Sequence, residues 1–442
     1  MHSTTTIRES LPEVPVSEVP IPGLVLVFSG KQPKCTAIPL EDGAVVLGRG
    51  GPAGDDTLLS RRHARVAFDG TTWSVEDLKS TNGTWVDNEP IQGEVHRASM
   101  RVIQAGASIF LPLDDVRRFL QYRVRVERGM VLGPALQEVH ATITRAALSG
   151  DSLLITGESG TGKELAARAY HQAGRHSGGP FVAVNCAAIP QTLAERLLFG
   201  ARKGAYSGLT HDTDGYVQAA NNGTLFLDEV AELDAGVQAK LLRVIDTQEV
   251  MELGAVAAKP VRLQVCAATH NLRARVASKQ FRDDLYYRIG KPEVRLPPLR
   301  ERPEEIPWHF AACCKPVEGS QPPALHVSLI VSALMRPWPG NVRELLGEAR
   351  RAVSRAVGEE RRVVEARDLD EWAGMGVEEG SGQDSERSGV PNDAIAEALR
   401  LEGGNVTRAA RRLGIHRNKV RRWLKKYGID RGTFGSREDH AG

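Results

Sequence analysis

Two stretches of the chain carry residue types suited to handling phosphate. Leu153-Leu154-Ile155-Thr156 is a short apolar run that stops at a glycine-rich turn, Gly157-Glu158-Ser159-Gly160-Thr161-Gly162-Lys163-Glu164. Helix formers follow: Leu165, Ala166, Ala167 and Arg168. Strand, loop and helix with the spacing G-x-x-x-x-G-K form a nucleotide-binding P-loop. The glycines let backbone N–H groups converge on phosphate oxygens. The helix N-terminus adds a positive dipole end, and Lys163 reaches the outer phosphates. Glu164 stands where most P-loops carry Ser or Thr on Mg²⁺. The second stretch, Thr224-Leu225-Phe226-Leu227-Asp228-Glu229, is an apolar run ending in two acids. Asp228 is expected beside Mg²⁺, and Glu229 is expected to polarise an attacking water. The chemistry implied is ATP hydrolysis with Mg²⁺.

Such groups need a sheet to hold them. Leu136, Val139, Ile143 and Ala147 recur at helical spacing before the P-loop strand. Phe181–Asn185, Thr224–Asp228 and Val261–Thr269 read as further strands, and each ends at polar residues. Strand C-terminal ends are where open α/β sheets bind ligands. At 442 residues the chain is too long for one core, so about three domains are expected. A hydrophobic content of 41% and a charged content of 25% are those of a soluble globular protein. The net charge of +2 excludes a globally basic protein but leaves room for local patches. No apolar run approaches the ~18 residues needed to cross a bilayer, and the N-terminus lacks a secretory signal pattern. The five cysteines, Cys35, Cys186, Cys266, Cys313 and Cys314, form no C-x-x-C pair and read as reduced thiols. The expected location is cytoplasmic, with no membrane partner.

Residues 1–22 are polar and Pro-punctuated and read as a disordered arm. Residues 23–113 hold short β-type runs, including Leu24–Phe28, Ala44–Leu47, Ala64–Phe68 and Thr72–Val75. Turn signals stand at Asp42-Gly43, Asp69-Gly70 and Asn82-Gly83, and the pattern suggests a β-sandwich. Within it lie Gly48-Arg49, Ser60-Arg61-Arg62-His63 and Ser80-Thr81-Asn82-Gly83-Thr84. Their order and spacing resemble a forkhead-associated (FHA) domain. That resemblance implies phosphothreonine recognition, with Arg49 and Ser60 on the phosphate, Asn82 on the peptide backbone, and Arg61 and Thr81 as helpers. A guanidinium and a hydroxyl suit several phosphate oxygens. His63 reads as a brace for the loop. Residues 114–129, with Tyr122, Val124 and Val126, read as a β-like connection.

The region from Gly133 to Glu371 resembles the AAA+ domain of the sigma-54-dependent transcriptional activators of bacteria. Beyond the P-loop, the shared strings include Val184–Ala188, Gly223–Glu229, Gln238–Arg243, Phe281–Arg288, Leu296–Arg302 and Trp338–Leu345. Glu164 is usual in that family. The resemblance implies that Asn185 holds the Walker B glutamate in check, that Thr269 senses the γ-phosphate, and that Arg343 is the second sensor. Arg282 and Arg288 match arginine fingers that reach a neighbouring subunit's nucleotide, which requires a homo-oligomer, from dimer to hexamer. The family loop that touches the sigma factor reads Gly-Ala-Phe-Thr-Gly-Ala. Here it is Gly204-Ala205-Tyr206-Ser207-Gly208-Leu209, keeping the ring and hydroxyl but ending in a bulky side chain.

Residues 374–392 read as a flexible linker. Ala394–Leu401 is helical, and Gly403-Gly404-Asn405 breaks it. Val406, Ala409, Ala410 and Leu413 share one face, and after Gly414-Ile415 a helix buries Val420, Trp423 and Leu424. Helix, glycine turn, helix is a helix-turn-helix. Residues 406–427 carry nine Lys/Arg and no Asp/Glu, a footprint for DNA phosphates. The segment is similar to the Fis-type domain that ends many of these activators. His416, Arg417, Asn418, Lys419, Arg421 and Arg422 are the expected DNA-facing set.

The fold expected is therefore multidomain. It comprises an FHA β-sandwich (23–113), a connector (114–129), an α/β AAA+ P-loop ATPase core (130–300) with a helical lid (301–373), and an all-α helix-turn-helix (393–430) before a tail (431–442). The function expected is an ATP-driven activator that binds upstream DNA and remodels sigma-54 RNA polymerase. Control would come from a phosphothreonine protein, a Ser/Thr kinase or its substrate. Two rival readings stand beside it. One is a DNA-binding regulator whose ATPase only switches assembly, and the other is a phosphopeptide-reading scaffold with a vestigial ATPase.

Overall fold

The computed structural model describes residues 19–51, 56–127, 129–205, 210–314 and 322–376. Beyond residue 391 it describes the helix Asn392–Leu401 and selected positions up to residue 429. The chain divides into two compact units between Gly376 and Val377.

Among the described residues, the first unit opens with a sandwich of ten strands. These are β1 (Gly23–Ser29), β2 (Gln32–Pro39), β3 (Ala44–Leu47), β4 (Ala64–Phe68), β5 (Trp73–Asp77), β6 (Thr84–Val86), β7 (Glu89–Pro90), β8 (Glu94–Arg97), β9 (Ile103–Ala105) and β10 (Ser108–Leu113). They form two antiparallel sheets of order β2-β1-β10-β9-β6-β7 and β3-β4-β5-β8. Alternation along the strands sorts their apolar residues. Leu24, Leu26, Phe110 and Ile103 enter the core between the sheets with Val66, Trp73 and Val75. Val25, Val27, Ile109 and Leu111 belong to a different core, shared with helices much later in the chain. A register shift between Leu26 and Phe28 adds Phe28 to that second set.

The segment after the sandwich was expected to be β-like. Its first half is instead a short helix, α1 (Arg117–Gln121), and only then come β11 (Arg125–Glu127) and its partner β12 (Met130–Leu132). An Asp115 side chain that accepts from both the Arg117 backbone N–H and its guanidinium fixes the turn that starts α1.

The α/β region follows with α2 (Pro134–Ser149), β13 (Leu153–Thr156), α3 (Lys163–Ala173), β14 (Phe181–Asn185), α4 (Gln191–Phe199), α5 (Tyr216–Ala219), β15 (Gly223–Asp228) and α6 (Ala235–Thr247). A two-residue ribbon, β16 (Glu249–Val250) and β17 (Lys259–Pro260), leads to β18 (Leu263–Thr269), α7 (Leu272–Ala277), α8 (Asp283–Ile289) and β19 (Glu293–Arg295). The sheet is parallel, in the order β14-β15-β18-β13-β19. Leu153, Leu154, Ile155, Leu225, Phe226 and Leu227 are buried on both faces, as a parallel sheet covered by helices requires.

The lid consists of α9 (Ile306–Cys313), β20 (Ala324–Leu325), α10 (Val327–Leu334), α11 (Asn341–Gly358) and β21 (Val363–Val364). Its apolar faces pack on one another around the fully buried Trp338, whose indole N–H donates to Ala333 O at 2.8 Å. The second unit holds α12 (Asn392–Leu401) and a small core of Ile395, Ala398, Leu399, Val406, Ala409, Val420 and Leu424. Among the described residues, no helix is long and apolar enough to cross a membrane.

Candidate functional site

Strand register brings the expected groups together. Asn185 at the end of β14 pairs with Asp228 at the end of β15, and Thr156 of β13 pairs with Thr269 of β18. The P-loop bridges β13 to α3, so Lys163 is the first helical residue. Gly160 and Gly162 have φ of 78° and 105°, left-handed values that favour glycine. A Cβ on Gly160 would also lie 2.2 Å from Gly340 O in the lid, so no side chain fits there.

Lys163 is nearly buried. Its Nζ donates to Gly157 O at 3.1 Å and lies 3.3 Å from Glu229 Oε1. Glu229 sits in the left-handed region at φ 51°, which turns its carboxylate off the strand toward the P-loop. Asp228 accepts the Glu229 N–H at 3.1 Å. Partial burial raises its pKa, opposed by the positive charge of Lys163 and helped by the neighbouring Glu229. A half-buried carboxylate that no described Lys or Arg bonds suits a divalent cation, which would reverse that shift. Asn185 Oδ1 accepts the Ala187 N–H at 3.0 Å, so here it caps a turn, while Glu229 is held by Lys163. Thr269 is buried, and its carbonyl accepts the Gly157 N–H at 3.3 Å.

The P-loop is fastened to the lid by residues that motif reading did not single out. Arg300 grips Glu158 through two bonds of 2.6 and 2.8 Å, and this holds the Glu158 pKa down to about 2. Asn341, fully buried, donates to Glu158 Oε2 and to Ser159 O. The buried Arg302 donates to Thr161 O at 3.0 Å and pairs with Glu305, which in turn accepts the Gly133 N–H at 2.8 Å. Arg300 and Arg302 stand in the string Leu296–Arg302, and Asn341 lies in Trp338–Leu345. Both strings were recognisable in the sequence, but the work of these residues was not. Arg343 reaches Ser159 Oγ at 3.1 Å. Between lid and sheet lies a cavity of about 520 Å³, whose lining includes Gly160 to Glu164, Asn185, Asp228, Glu229 and Arg343. Met130, Val131, Leu136 and Ala312 add apolar lining of a kind suited to a nucleotide base.

Arg282 and Arg288 lie outside this cavity on α8 and its start. In the single chain Arg282 grips Asp284, and Arg288 pairs with Asp246 at 2.8 Å. Of the loop expected to touch the sigma factor, Gly204 and Ala205 are described, and Tyr206, Ser207, Gly208 and Leu209 lie outside the described residues. The described residues on either side of these positions are stapled. Arg202 pairs with both Asp212 and the buried Glu252, which also holds Lys259.

On the sandwich, Arg49, Ser60, Arg61, Thr81 and Asn82 gather on neighbouring loops. Arg49 N donates to Ser60 O, Thr81 N donates to Ser60 Oγ at 3.1 Å, and Asn82 Nδ2 donates to Leu58 O at 2.7 Å. Arg49 and Arg61 are exposed. His63 is buried: its Nδ1 accepts the Ser60 N–H and its Nε2 bonds Gly83 O. It braces the loops, as its type and position suggested. In the second unit, His416, Arg417, Asn418, Lys419, Arg421 and Arg422 lie outside the described residues.

Comparison with known families gives three matches along the chain. Residues 131–295 match the sigma-54 interaction domain, 41–106 the FHA domain, and 392–427 the bacterial regulatory protein, Fis family. The hydrogenase transcriptional regulatory protein HoxA of Cupriavidus necator is 36% identical over 373 residues, spanning 81% of this chain and 77% of its own. The DNA-binding transcriptional regulator NtrC of Escherichia coli is 36% identical over 325 residues, 67% of this chain and 69% of its own. Among solved structures, NtrX from Brucella abortus in complex with ATP is similar at a TM-score of 0.50 and 30% identity, covering 67% of this chain and 68% of that one. With a P-loop ATPase fold between an FHA sandwich and a Fis-type DNA-binding unit, the chain belongs to the family of sigma-54-dependent transcriptional activators.

Proposed function

We propose that the chain couples ATP hydrolysis to the remodelling of sigma-54 RNA polymerase at promoters, from an upstream DNA site, under the control of a phosphothreonine protein. The observation that carries this is the placement of Lys163, Asp228, Glu229 and Thr269 at the C-terminal ends of β13, β15 and β18, under a lid that touches the P-loop. ATP phosphates would take over Lys163 from Glu229, and the freed carboxylate would orient the attacking water. Asp228 would hold Mg²⁺, which supplies charge neutralisation. Asn185, paired with Asp228 on the adjacent strand, would restrain Glu229 in the opposite phase. Arg282 and Arg288 would exchange Asp284 and Asp246 for a neighbouring subunit's nucleotide, so turnover needs an assembly from dimer to hexamer.

Tyr206 would make the sigma-54 contact, in a loop that follows the Arg202 paired with Glu252. The basic segment around Arg417 to Arg422 would hold DNA, and the location is the cytoplasm. Arg49 and Ser60 would bind phosphate, with Arg61 and Thr81 beside them and Asn82 on the peptide backbone. The partner would be a Ser/Thr kinase or a protein that it phosphorylates. The test is capture of purified sigma-54 by the chain loaded with a non-hydrolysable ATP analogue. Wild type should retain it and Tyr206→Ala should not; equal capture by both removes the loop from the reading. A phosphothreonine peptide should bind wild type and not Arg49→Ala.

A further inference from the structure

The outer face of the FHA sheet is not a solvent face. β1 and β10 bury residues on both sides. Leu24, Leu26 and Phe110 point into the sandwich, and Val25, Val27, Ile109 and Leu111 join the core of the lid. That second core contains Ile306 and Phe310 of α9, Leu329, Ile330, Val331 and Ala333 of α10, and Leu345 and Ala349 of α11. Arg101, just outside β9, donates to Met335 O at the end of α10 at 3.2 Å. A tethered reader domain would meet its neighbour through a polar, separable contact. Here fully buried Val25, Val27 and Ile109 lie in one continuous apolar core with the lid.

One helix is the common wall. On α9, Ile306, Phe310 and Cys313, at spacings of four and three, belong to the core shared with Cys35 and Ala37 of β2. His309 and Ala312, on the adjacent face of the same helix, line the nucleotide cavity. The turn before α9 carries Arg302 and Glu305, which bond Thr161 O of the P-loop and Gly133 N. A shift of the sandwich against α9 therefore cannot leave the nucleotide site unchanged, because packed cores transmit displacement rather than absorb it.

We infer that the FHA sandwich is a fixed part of the AAA+ lid and acts on nucleotide binding through α9, so that a ligand on the sandwich and a nucleotide on the P-loop are energetically linked. The regulatory half of this rests on the phosphothreonine reading; the mechanical half does not. Linkage is reciprocal, so it is measurable from the nucleotide side alone.

Hydrogen exchange of the full-length wild-type chain, with and without saturating ADP, provides the test. The expected result is slower exchange in β2, β1 and β10 on adding ADP, together with α9, while the distal β3, β4 and β5 do not change. Unchanged exchange in β1, β2 and β10 while α9 slows would overturn the inference. A variant at the contact gives a second readout. Ala37→Glu puts a charge on the half-buried face of β2 against α9, far from any nucleotide contact. It should raise the KM for ATP about three- to tenfold with little change in kcat, whereas Ala37→Ser should behave as wild type. An Ala37→Glu chain that loses exchange protection across α9 and β2 yet keeps the wild-type KM would also overturn it. Failure of phosphopeptide binding with ADP-dependent protection of the sandwich intact would remove the phosphothreonine reading and leave the linkage standing.

Discussion

Asn341 offers a sharp test of how the lid holds the P-loop. It is fully buried, at φ 53°, as the first residue of α11. Its Oδ1 accepts the N–H of the buried Leu299 at 2.8 Å, and its Nδ2 serves Glu158, Ser159 and Pro339. Asn341→Gly keeps the backbone conformation but strands the Leu299 N–H, which costs about 1–3 kcal/mol. Asn341→Ala strands the same group and, unlike Gly, keeps a Cβ in the left-handed region without the polar group that lets Asn tolerate it, at roughly 1–2 kcal/mol more than Gly. The alanine variant should therefore be the less stable of the two. At about 2–4 °C per kcal/mol for a region of this size, Gly should lower the melting midpoint by roughly 5 °C and Ala by roughly 8 °C. Both remove the Asn341 bonds to Glu158 and Ser159 and leave only Arg300 and Arg343 to hold these residues, so ATP affinity should fall by up to about tenfold, equivalent to about 1.4 kcal/mol. Calorimetry and titration with a fluorescent ATP analogue read the two effects. If Ala proves no worse than Gly, or if both bind ATP as wild type does, the lid attachment argued from Asn341 is wrong.

Three further predictions concern catalysis and pH. Glu229→Gln should lower ATP turnover by about 10²–10⁴ while leaving ATP binding intact; weakened binding, seen by equilibrium titration, would contradict the role. Arg282→Ala should be nearly inactive alone, and mixing it with Lys163→Ala should restore part of the rate. No restoration in the mixed ATPase assay would argue against a finger acting between subunits. Glu304 is fully buried beside Glu305, and burial pushes its pKa up to about 8. The folded chain then holds a proton that the unfolded chain releases above its ordinary pKa of 4.5. The stability linked to it is fully present below that pH and is lost as pH rises to about 8. Glu304→Gln should match wild type in melting midpoint at pH 4.5 and exceed it at pH 8. A gap that narrows with rising pH would refute the assignment.

The chemistry was legible in the sequence where residue type and short spacing fix it. The P-loop glycines, Lys163, and the Asp228-Glu229 pair after an apolar strand need no distant partner to be recognised. His63 was read as a brace for the loop, and its bonds to Ser60 and Gly83 agree. What sequence order hides is pairing across distance. Glu158 meets Arg300 and Asn341 across 142 and 183 residues, and β2 meets α9 across a still longer span. A signal for the buried outer face did exist. Leu24-Val25-Leu26-Val27-Phe28 is apolar at every position, where a strand with one wet face would alternate. The helix at Arg117–Gln121 was missed because its apolar residues are too few to mark a 3.6-residue period.

The central claim is that ATP hydrolysis by this chain opens sigma-54 promoters. Permanganate footprinting of promoter thymines, with purified chain and sigma-54 polymerase, tests it most directly. Thymines near the start site should become reactive with ATP and stay protected with a non-hydrolysable analogue or with Glu229→Gln. A chain that hydrolyses ATP while every thymine stays protected, with and without a phosphothreonine ligand, would contradict the claim.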